Sequence, residues 1–376
     1  MYLSRFNYIS DCERNGQRIL MNFLSRSCDI IDEKSVAYFF EKKGHISPDE
    51  KKYAAERGYL FSSKEEEATI LQEWHSYELQ NSKKCSVIHL DTFDGDYIKA
   101  LEKVQPTEGL LTLYSETLDK TVDCIGSLPK TQVITTGESL QYFEPLFRNQ
   151  VVSQVSLIVP LSGNIPFEKD TESILDTLIE HGVLVEIIGR LQENNCTRLK
   201  SLMNYFIYKG WPFLENFTCN VEPENNKGCI FGYWYGTSGL PRKIFQEYTA
   251  FPQTEFCSTE NWVGINPVHS LIWTGKPSVP SFHFCEASTG LTVYTGEGPV
   301  PCFKCAGRSD TAYWETCTPY IKECRHCVYE ILCGGGCRLQ KERCPPVKEL
   351  IEISLEYYFD EFLERLRFYE QYGGIQ

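Results

Sequence analysis

The stretch Cys324-Arg-His-Cys327-Val-Tyr-Glu-Ile-Leu-Cys333-Gly-Gly-Gly-Cys337 decides how the rest of the chain is interpreted. Nine of the 17 cysteines lie between residues 285 and 344, a density typical of metal sites. Two cysteines separated by two residues allow both sulfurs to reach one ion from a tight turn. The glycines at 334–336 let the backbone fold closely, with N–H groups that can point at sulfur. The stretch therefore predicts a metal centre held by thiolates.

Spacing alone leaves three chemistries for these thiols. Disulfides are the least favoured, because the chain opens Met1-Tyr2-Leu3-Ser4-Arg5 without a basic-then-apolar signal segment, and we expect it in the reducing cytoplasm. Structural zinc fits Cys302-Phe-Lys-Cys305 and Cys324-Arg-His-Cys327, which have zinc-ribbon spacing. Iron–sulfur clusters also take four thiolates from dense cysteine runs. The spacing does not separate zinc from iron.

The gaps of two, five and three residues, a further cysteine downstream and an upstream pair near a glycine resemble the SPASM domain. That domain is the auxiliary iron–sulfur module at the C-terminus of radical SAM peptide and protein maturases. The resemblance implies two [4Fe–4S] clusters. One cluster would be held by Cys324, Cys327, Cys333 and Cys344. The other would be held by Cys285, Cys302 and Cys337.

The upstream part of this segment departs from the family pattern. The family has four residues between a glycine and the second upstream cysteine, whereas three follow Gly298 and five follow Gly296 before Cys302. No cysteine lies a few residues before Cys285. The fourth position of that cluster is therefore open, or is filled by Cys305, Cys317 or Cys257.

Between Cys85 and about Val221, short apolar runs alternate with helical patterns. The apolar runs are Ser86–Leu90, Leu110–Tyr114, Gln132–Thr135, Val155–Pro160, Val183–Ile188 and Phe217–Val221. The helical patterns are Asp94–Val104, Leu118–Ser127, Ser139–Phe147, Asp170–His181 and Cys196–Lys209. Such alternation predicts a parallel sheet with helices packed on it, curled by right-handed crossovers into a full or partial barrel. The stretch resembles the partial (β/α) barrel of the radical SAM fold.

That fold needs a CxxxCxxC loop after the first strand, because three thiolates leave one iron open to chelate SAM. No CxxxCxxC occurs in this chain, and the first strand runs into Asp91-Thr92-Phe93-Asp94-Gly95-Asp96. The Gly-Gly-Glu expected after the second strand is replaced by Tyr114-Ser115-Glu116, which keeps at most one carboxylate. Residues 161–168 lack the arginine expected after the fourth strand. We therefore expect a degenerate barrel that neither binds nor cleaves SAM.

Other catalytic groups are sparse in the sequence. His89 falls on the first strand, where a lone histidine is more often structural than catalytic. His283 and His326 lie beside the candidate cysteines and are alternative metal ligands. Asp91, Asp94 and Asp96 are spaced acids in a loop, a pattern that usually means solvation and less often a cation site. The sequence thus assigns no catalytic residue.

Residues 1–80 predict a small α+β unit with strands at Arg18–Leu24 and Cys28–Ile31. Ser35–Lys43 places Val36, Phe39 and Phe40 on one helical face. Ser47 precedes Pro48 as the N-cap of a helix that ends at Gly58, and Ser63 opens another helix with a capping box. The arrangement resembles the leader domain of radical SAM peptide maturases, where a precursor peptide is added as a strand to a sheet edge. An ordinary packing domain is the alternative.

The segment Val347–Tyr372 predicts an amphipathic helix whose aromatic side chains exceed the needs of one narrow face. The net charge of −14 argues against a nucleic-acid surface and is compatible with a basic peptide partner. No apolar run reaches the length of a membrane span.

These features predict four parts: a leader-domain-like unit (1–80), a degenerate radical SAM-like partial barrel (84–250), a SPASM-like cluster domain (251–346) and a C-terminal helix (347–376). The function predicted is that of a non-catalytic accessory protein in the maturation of a ribosomally synthesised peptide. It would bind the precursor peptide, an active radical SAM enzyme, or both, with clusters that are structural or relay electrons. The alternatives are an oxidoreductase with an open auxiliary cluster and a zinc-binding structural adaptor.

Overall fold

The computed structural model of this chain describes residues 1–81, 84–94, 111–122, 130–160, 167–191, 196–223, 257–258, 268, 270–271, 290–302, 324–335 and 347–372. Two small antiparallel sheets and three helices make up the N-terminal unit. Strand β1 (Tyr2–Leu3) pairs with β5 (Leu60–Phe61). Strands β2 (Asn7–Ile9), β3 (Gln17–Asn22) and β4 (Ser27–Asp32) form a meander. The helices are α1 (Glu33–Phe39), α2 (Pro48–Glu56) and α3 (Lys64–Asn81).

Caps set the ends of these helices. The Ser47 hydroxyl accepts a hydrogen bond from the Glu50 amide at 3.1 Å, and the Glu50 carboxylate accepts one from the Ser47 amide, so α2 starts where the sequence predicts. Its chain turns at Gly58, where φ is +72°. Helix α1 starts earlier than predicted because Asp32 caps it. It also ends earlier, so Phe40 leaves the predicted buried face and is 74% exposed.

A nine-stranded sheet dominates the described structure. Its strands are β6 (Cys85–His89), β7 (Leu111–Ser115), β8 (Thr131–Thr136), β9 (Val152–Pro160), β10 (Leu184–Leu191), β11 (Phe217–Pro223), β12 (Cys257–Ser258), β13 (Leu291–Thr295) and β14 (Gly298–Val300). The spatial order is β12-β11-β10-β9-β8-β7-β6-β13-β14. Eight strands are parallel, and β14 runs antiparallel to β13.

Strands β6 to β11 are neighbours in the order in which the chain makes them. A sequential order belongs to barrel-type α/β folds, whereas a doubly wound sheet reverses its order at a switch point. The predicted parallel sheet is therefore confirmed, and its order is consistent with a radical SAM-like α/β fold.

The described helices of this region are α4 (Gly137–Leu140), α5 (Glu144–Arg148), α6 (Lys169–Glu180) and α7 (Leu199–Lys209). The last two confirm predicted helices, although a 3₁₀ turn replaces the first turn of the second. The predicted helix Ser139–Phe147 is interrupted by a 3₁₀ turn at Gln141–Phe143. Pro145 explains part of the break, because it has no N–H to donate to the carbonyl four residues earlier.

The prediction of a helix at Leu118–Ser127 is wrong over residues 118–122, which the structure leaves non-helical. The Val122 amide donates to the Tyr142 carbonyl at 2.9 Å, so a tertiary contact replaces the helical hydrogen bond. Leu118 and Val122 are both buried in the core, which satisfies their hydrophobicity without a helix. Residues 123–129, and the predicted helix beyond Asp94, lie outside the described residues.

The two faces of the large sheet carry different side chains. One face packs Val133, Val155 and Ile187 against Leu175 of α6 and Phe206 of α7 in the main core. The other, here called the inner face, carries an apolar cluster of Val87, Tyr114, Ile134, Ile158, Leu291 and Val293. Polar side chains lie on both sides of that cluster along the strands, and they form the sites described next.

A second core joins residues far apart in the sequence. It packs Phe6 and Phe23 of the N-terminal unit with Ile331 of α8 (Glu330–Cys333) and with Phe359 of α9 (Val347–Tyr372). Helix α9 has the predicted bounds. Its residues Leu350 and Ile353 reach the main core, so α9 contacts both cores. Within the described residues, no helix combines the length and apolar composition needed to cross a membrane.

Candidate functional site

Polar side chains meet at the carboxyl ends of β6, β7 and β10. Asp91 follows β6, Ser115 and Glu116 end and follow β7, and Arg190 lies near the end of β10. Parallel strands end at one edge of their sheet, which is where α/β proteins usually bind ligands. These four residues are called the mouth network below.

An ion pair between Arg190 and Glu116 forms the centre of the mouth network. Arg190 Nη1 donates to Glu116 Oε2 at 2.9 Å, and Nη2 donates to Oε1 at 2.8 Å. The Arg190 side chain is 5% exposed and that of Glu116 24%. Burial raises the pKa of Glu116, but hydrogen bonds from Arg190 and Tyr114 outweigh burial and hold that pKa below its usual value. The carboxylate is therefore ionised at neutral pH and bound by a fixed cation.

Asp91 supports the backbone that carries this ion pair. Its carboxylate accepts hydrogen bonds from the Ser115 hydroxyl and from the Glu116 amide, the latter at 2.9 Å. His89 Nε2 lies 3.7 Å from Asp91 Oδ2. Burial raises the pKa of Asp91, and the nearby His89 ring together with hydrogen bonds from Ser115 and the Glu116 amide lowers it further than burial raises it. Asp91 is thus half-buried and holds residues 115 and 116 in place through hydrogen bonds, whereas the sequence favoured a solvated loop residue.

The Glu116 carboxylate is paired within the mouth network. Glu116 occupies the position at which the sequence left at most one carboxylate, and both of its oxygens bind Arg190. An ammonium group of a ligand would have to displace a bidentate guanidinium to bind there. Of the other two acids in the predicted loop, Asp94 adopts a left-handed φ of 49° and Asp96 lies outside the described residues.

The cysteine segment is defined as residues 324–335 and lies far from the mouth network in the sequence. The Cys327 amide donates to the Cys324 carbonyl at 2.9 Å, which closes the CxxC turn. Helix α8 follows and ends at Cys333. Gly334 and Gly335 then take φ values of 57° and 86°, left-handed values that glycine adopts at little steric cost.

Arg5 fastens the cysteine segment to the N-terminal unit. Its guanidinium lies 2.7 Å from the Glu330 carboxylate, whose side chain is 1% exposed, and it also donates to the Arg325 carbonyl. Burial raises the pKa of Glu330, and Arg5 opposes that rise only in part. The Tyr329 ring lies 5.8 Å from the Tyr8 ring, centroid to centroid. The turn that carries Cys324 and Cys327 is thus held against the N-terminal unit by charge and by aromatic contacts.

The structure brings only some predicted ligands together. Cys324, Cys327 and Cys333 share the cysteine segment, while Cys302 follows β14 and packs with Cys85 against the inner-face cluster. The predicted ligands Cys285, Cys337 and Cys344 and the alternatives Cys305 and Cys317 lie outside the described residues. Cys257, the third alternative, lies on β12 opposite Cys219. Among the described residues, no three His, Cys, Asp or Glu side chains are grouped as metal ligands, so the described donors do not by themselves form a metal centre.

Sequence reasoning missed the partner of Glu116. Arg190 lies two residues past Ile188, where the apolar pattern predicts the strand to end, and pairing with β11 extends the strand to Leu191. Sequence reasoning also passed over Glu186, although an acidic residue inside an apolar run indicates a polar function on that strand.

No protein-family description and no curated protein matches this chain. Solved structures similar to it include two described as native anSMEcpe with bound AdoMet and as the hexahistidine-tagged form of anSMEcpe with bound AdoMet. Each shares 12% sequence identity with the chain and covers 75% of it, at a TM-score of 0.41. The chain spans 99% of the first structure and 98% of the second. The fold class stated above rests on strand order and not on this likeness.

Proposed function

We propose that this chain is a non-catalytic, radical SAM/SPASM-like accessory protein in the maturation of a ribosomally synthesised peptide. It binds the precursor peptide, an active radical SAM enzyme, or both. Function lives in sites and not in folds, so a scaffold that has lost its reactive site remains suited to binding.

The Arg190–Glu116 ion pair is the observation that carries this proposal. In the sequence, the cysteine loop that an open iron requires is replaced by residues 90–96. In the structure, the surviving carboxylate at the mouth is bound on both oxygens by Arg190 and supported from behind by Asp91. A buried arginine fixed in this way occupies the mouth with the protein's own charges.

The N-terminal unit offers the binding surface. Its three-stranded meander has β2 and β4 at its edges, and an extended peptide adds to a sheet edge through backbone hydrogen bonds. Arg5 links this unit to the cysteine segment through Glu330. Peptide binding at the unit and ligation at the cysteines would therefore take place on parts of the chain that contact each other.

The cofactor is part of the proposal. Cys324, Cys327, Cys333 and Cys344 would hold one [4Fe–4S] cluster, and Cys285, Cys302 and Cys337 would contribute to a second. Zinc is the alternative ion for the same thiols. Iron, acid-labile sulfide and zinc per chain after anaerobic purification separate the two, since only clusters bring sulfide in amounts that match the iron.

The test of the non-catalytic role is SAM cleavage. The chain is purified anaerobically, supplied with iron and sulfide, and incubated with SAM and dithionite, and 5′-deoxyadenosine is quantified. We expect no more product than in the protein-free control, while an active radical SAM enzyme in the same buffer supplies the positive control. Multiple turnovers by this chain alone would overturn the proposal.

The accessory role has its own test. The chain is combined with a radical SAM enzyme that carries CxxxCxxC and with that enzyme's precursor peptide, and peptide modification is followed by mass spectrometry. We expect the modification rate to fall when the chain is left out. If no such enzyme from the source of this chain changes its rate with the chain present, the accessory role is wrong.

A further inference from the structure

A row of polar side chains crosses five strands of the inner face, on the amino-terminal side of the apolar cluster. It consists of Thr112 (β7), Gln132 (β8), Ser156 (β9), Glu186 (β10) and Asn220 (β11), and is called the acceptor row. Thr112 donates to Gln132 Oε1 at 3.3 Å, and Gln132 Nε2 donates to Ser156 at 3.1 Å. Ser156 donates to Glu186 Oε2 at 2.5 Å, and Asn220 Nδ2 donates to Glu186 Oε1.

Glu186 carries a negative charge that no cation in the described structure balances. Its donors are Ser156, Asn220 and, at 3.5 Å, the Gln154 amide, and all three are neutral. Glu116 at the mouth differs, because Arg190 covers both of its oxygens. A carboxylate offers about four lone-pair sites, so three neutral donors leave acceptor capacity on Glu186.

Asn220 adds a second unused acceptor. The residue is 7% exposed, and its Oδ1 atom is buried with no hydrogen-bond partner. The amide orientation is fixed by chemistry, since the opposite flip would set Oδ1 against the Glu186 carboxylate. Native proteins rarely bury an acceptor without a partner, so the Asn220 oxygen requires an explanation, and its position beside the Glu186 carboxylate favours a bound donor. Glu186 and Asn220 therefore present two neighbouring acceptors on the paired strands β10 and β11.

The acceptor groups of the row determine which class of ligand can bind there. Calcium takes about six to eight oxygen ligands and magnesium a near-ideal octahedron, whereas Glu186 and Asn220 offer one carboxylate and one amide oxygen that accept from neutral donors or are unpaired. A guanidinium has five N–H donors and a primary ammonium three, and both supply the missing positive charge. We propose that Glu186 and Asn220 bind a cationic nitrogen group, a guanidinium or a primary ammonium. The net charge of −14 favours the approach of such a cation.

Access to the acceptor row comes from the amino ends of the strands. The cluster residues Val87, Tyr114, Ile134 and Ile158 are at most 3% exposed and separate the row from the mouth network. Gln132, Gln154 and Glu186 are only half-buried, so solvent reaches the row. Glu186 would bind such a cation whether or not the chain serves a partner enzyme.

A titration with ethylguanidinium tests this assignment, and ethylurea, a neutral analogue of similar shape, is its control. Isothermal titration calorimetry of the full chain should give saturable ethylguanidinium binding and no ethylurea binding. Glu186→Gln keeps the shape and removes the charge, and we expect at least a tenfold loss of affinity. Glu180→Gln, an exposed residue at the end of α6, should bind like the wild type.

The outcomes that overturn the assignment are specific. They are equal affinity in Glu186→Gln, equal heats with ethylurea, or no saturable binding at millimolar probe. Circular dichroism of Glu186→Gln shows whether the variant is folded. If it is not, Glu186→Asp replaces it, which keeps the charge but draws the carboxylate back by one methylene, and ethylguanidinium binding must weaken by at least threefold.

Two sources of the cationic group are then compared. Agmatine represents a free guanidine, and acetyl-Gly-Arg-Gly-amide represents an arginine side chain of a peptide. Tighter binding of either probe than of ethylguanidinium supports the site and identifies its source. Failure of both probes to compete with ethylguanidinium overturns the location at Glu186.

Discussion

Replacing Arg190 by methionine should destabilise the large sheet sharply. Methionine keeps much of the length of the side chain but leaves the Glu116 carboxylate without its cation, and that carboxylate is mostly buried. Removing one partner of a buried ion pair costs about 3–5 kcal/mol in the free energy of unfolding. The Glu116 side chain retains 24% exposure, so water recovers part of the loss. We therefore expect a cost of about 3 kcal/mol, the lower end of that range.

The pH dependence of this variant separates charge from packing. In the wild type the pKa of Glu116 lies below its unfolded value, so its contribution is present above the unfolded pKa of about 4.3 and is lost as pH falls through the folded pKa. Without Arg190, burial becomes the leading influence and raises the folded pKa of Glu116 above the unfolded one. Protonation then relieves the variant, so its deficit relative to the wild type should begin to shrink above about pH 4.3, as pH falls through the raised pKa of the variant, and should shrink further below that pH, where the wild type loses its own contribution.

Urea unfolding followed by far-ultraviolet circular dichroism measures the change, and hydrogen exchange of peptides from β10 locates it. The double variant Arg190→Met/Glu116→Gln removes both charges, and we expect it to recover about 2 kcal/mol of the single variant's loss. A loss below about 1 kcal/mol for Arg190→Met, the value typical of an exposed pair, would refute the view that Arg190 compensates the buried charge of Glu116. So would a deficit that does not change with pH.

Three further changes test other parts of the structure. Cys327→Ala should lower the iron or zinc content of the purified protein, measured by elemental analysis, whereas Cys12→Ala should not; equal metal in both would remove Cys327 from the ligand set. Arg5→Met should lower the free energy of unfolding by about 3 kcal/mol, because it leaves the buried Glu330 carboxylate without its cation. An unchanged urea midpoint would contradict this. Ser47→Ala should cost about 1 kcal/mol through loss of the α2 cap, and a thermal melt with an unshifted midpoint would show that the cap contributes nothing.

Elements with a local signal were predictable from sequence. Val347–Tyr372 has a long apolar period, and the structure gives the helix those bounds. Gly182 and Gly210 follow α6 and α7 with φ values of 75° and 74°, as expected where a helix must stop. The parallel sheet followed from the alternation of apolar runs with helical patterns, which is also a local feature.

What the sequence did not reveal depends on contacts between distant residues. The segment at 118–122 is non-helical because its core side chains and the Val122 amide find partners near Tyr142. The ion pair of Arg190 and Glu116 joins residues 74 positions apart, and neither residue by itself indicates which partner it will have. Glu186 meets Asn220 only once β10 and β11 have paired, and the other members of the acceptor row come from three further strands, so the periodicity of a single strand does not reveal the row.

The second core has a consequence for how the protein is made. Its apolar strands β2 to β4 leave the ribosome about 300 residues before α9, which covers them. At about 5–20 residues per second, that interval is roughly 15–60 s. Over this time Phe6, Phe23 and their neighbours form an exposed hydrophobic surface next to sheet edges that can pair with other chains. Lower growth temperatures and chaperone supply should therefore raise the soluble yield, and a truncation that removes α9 should leave the N-terminal unit prone to aggregation.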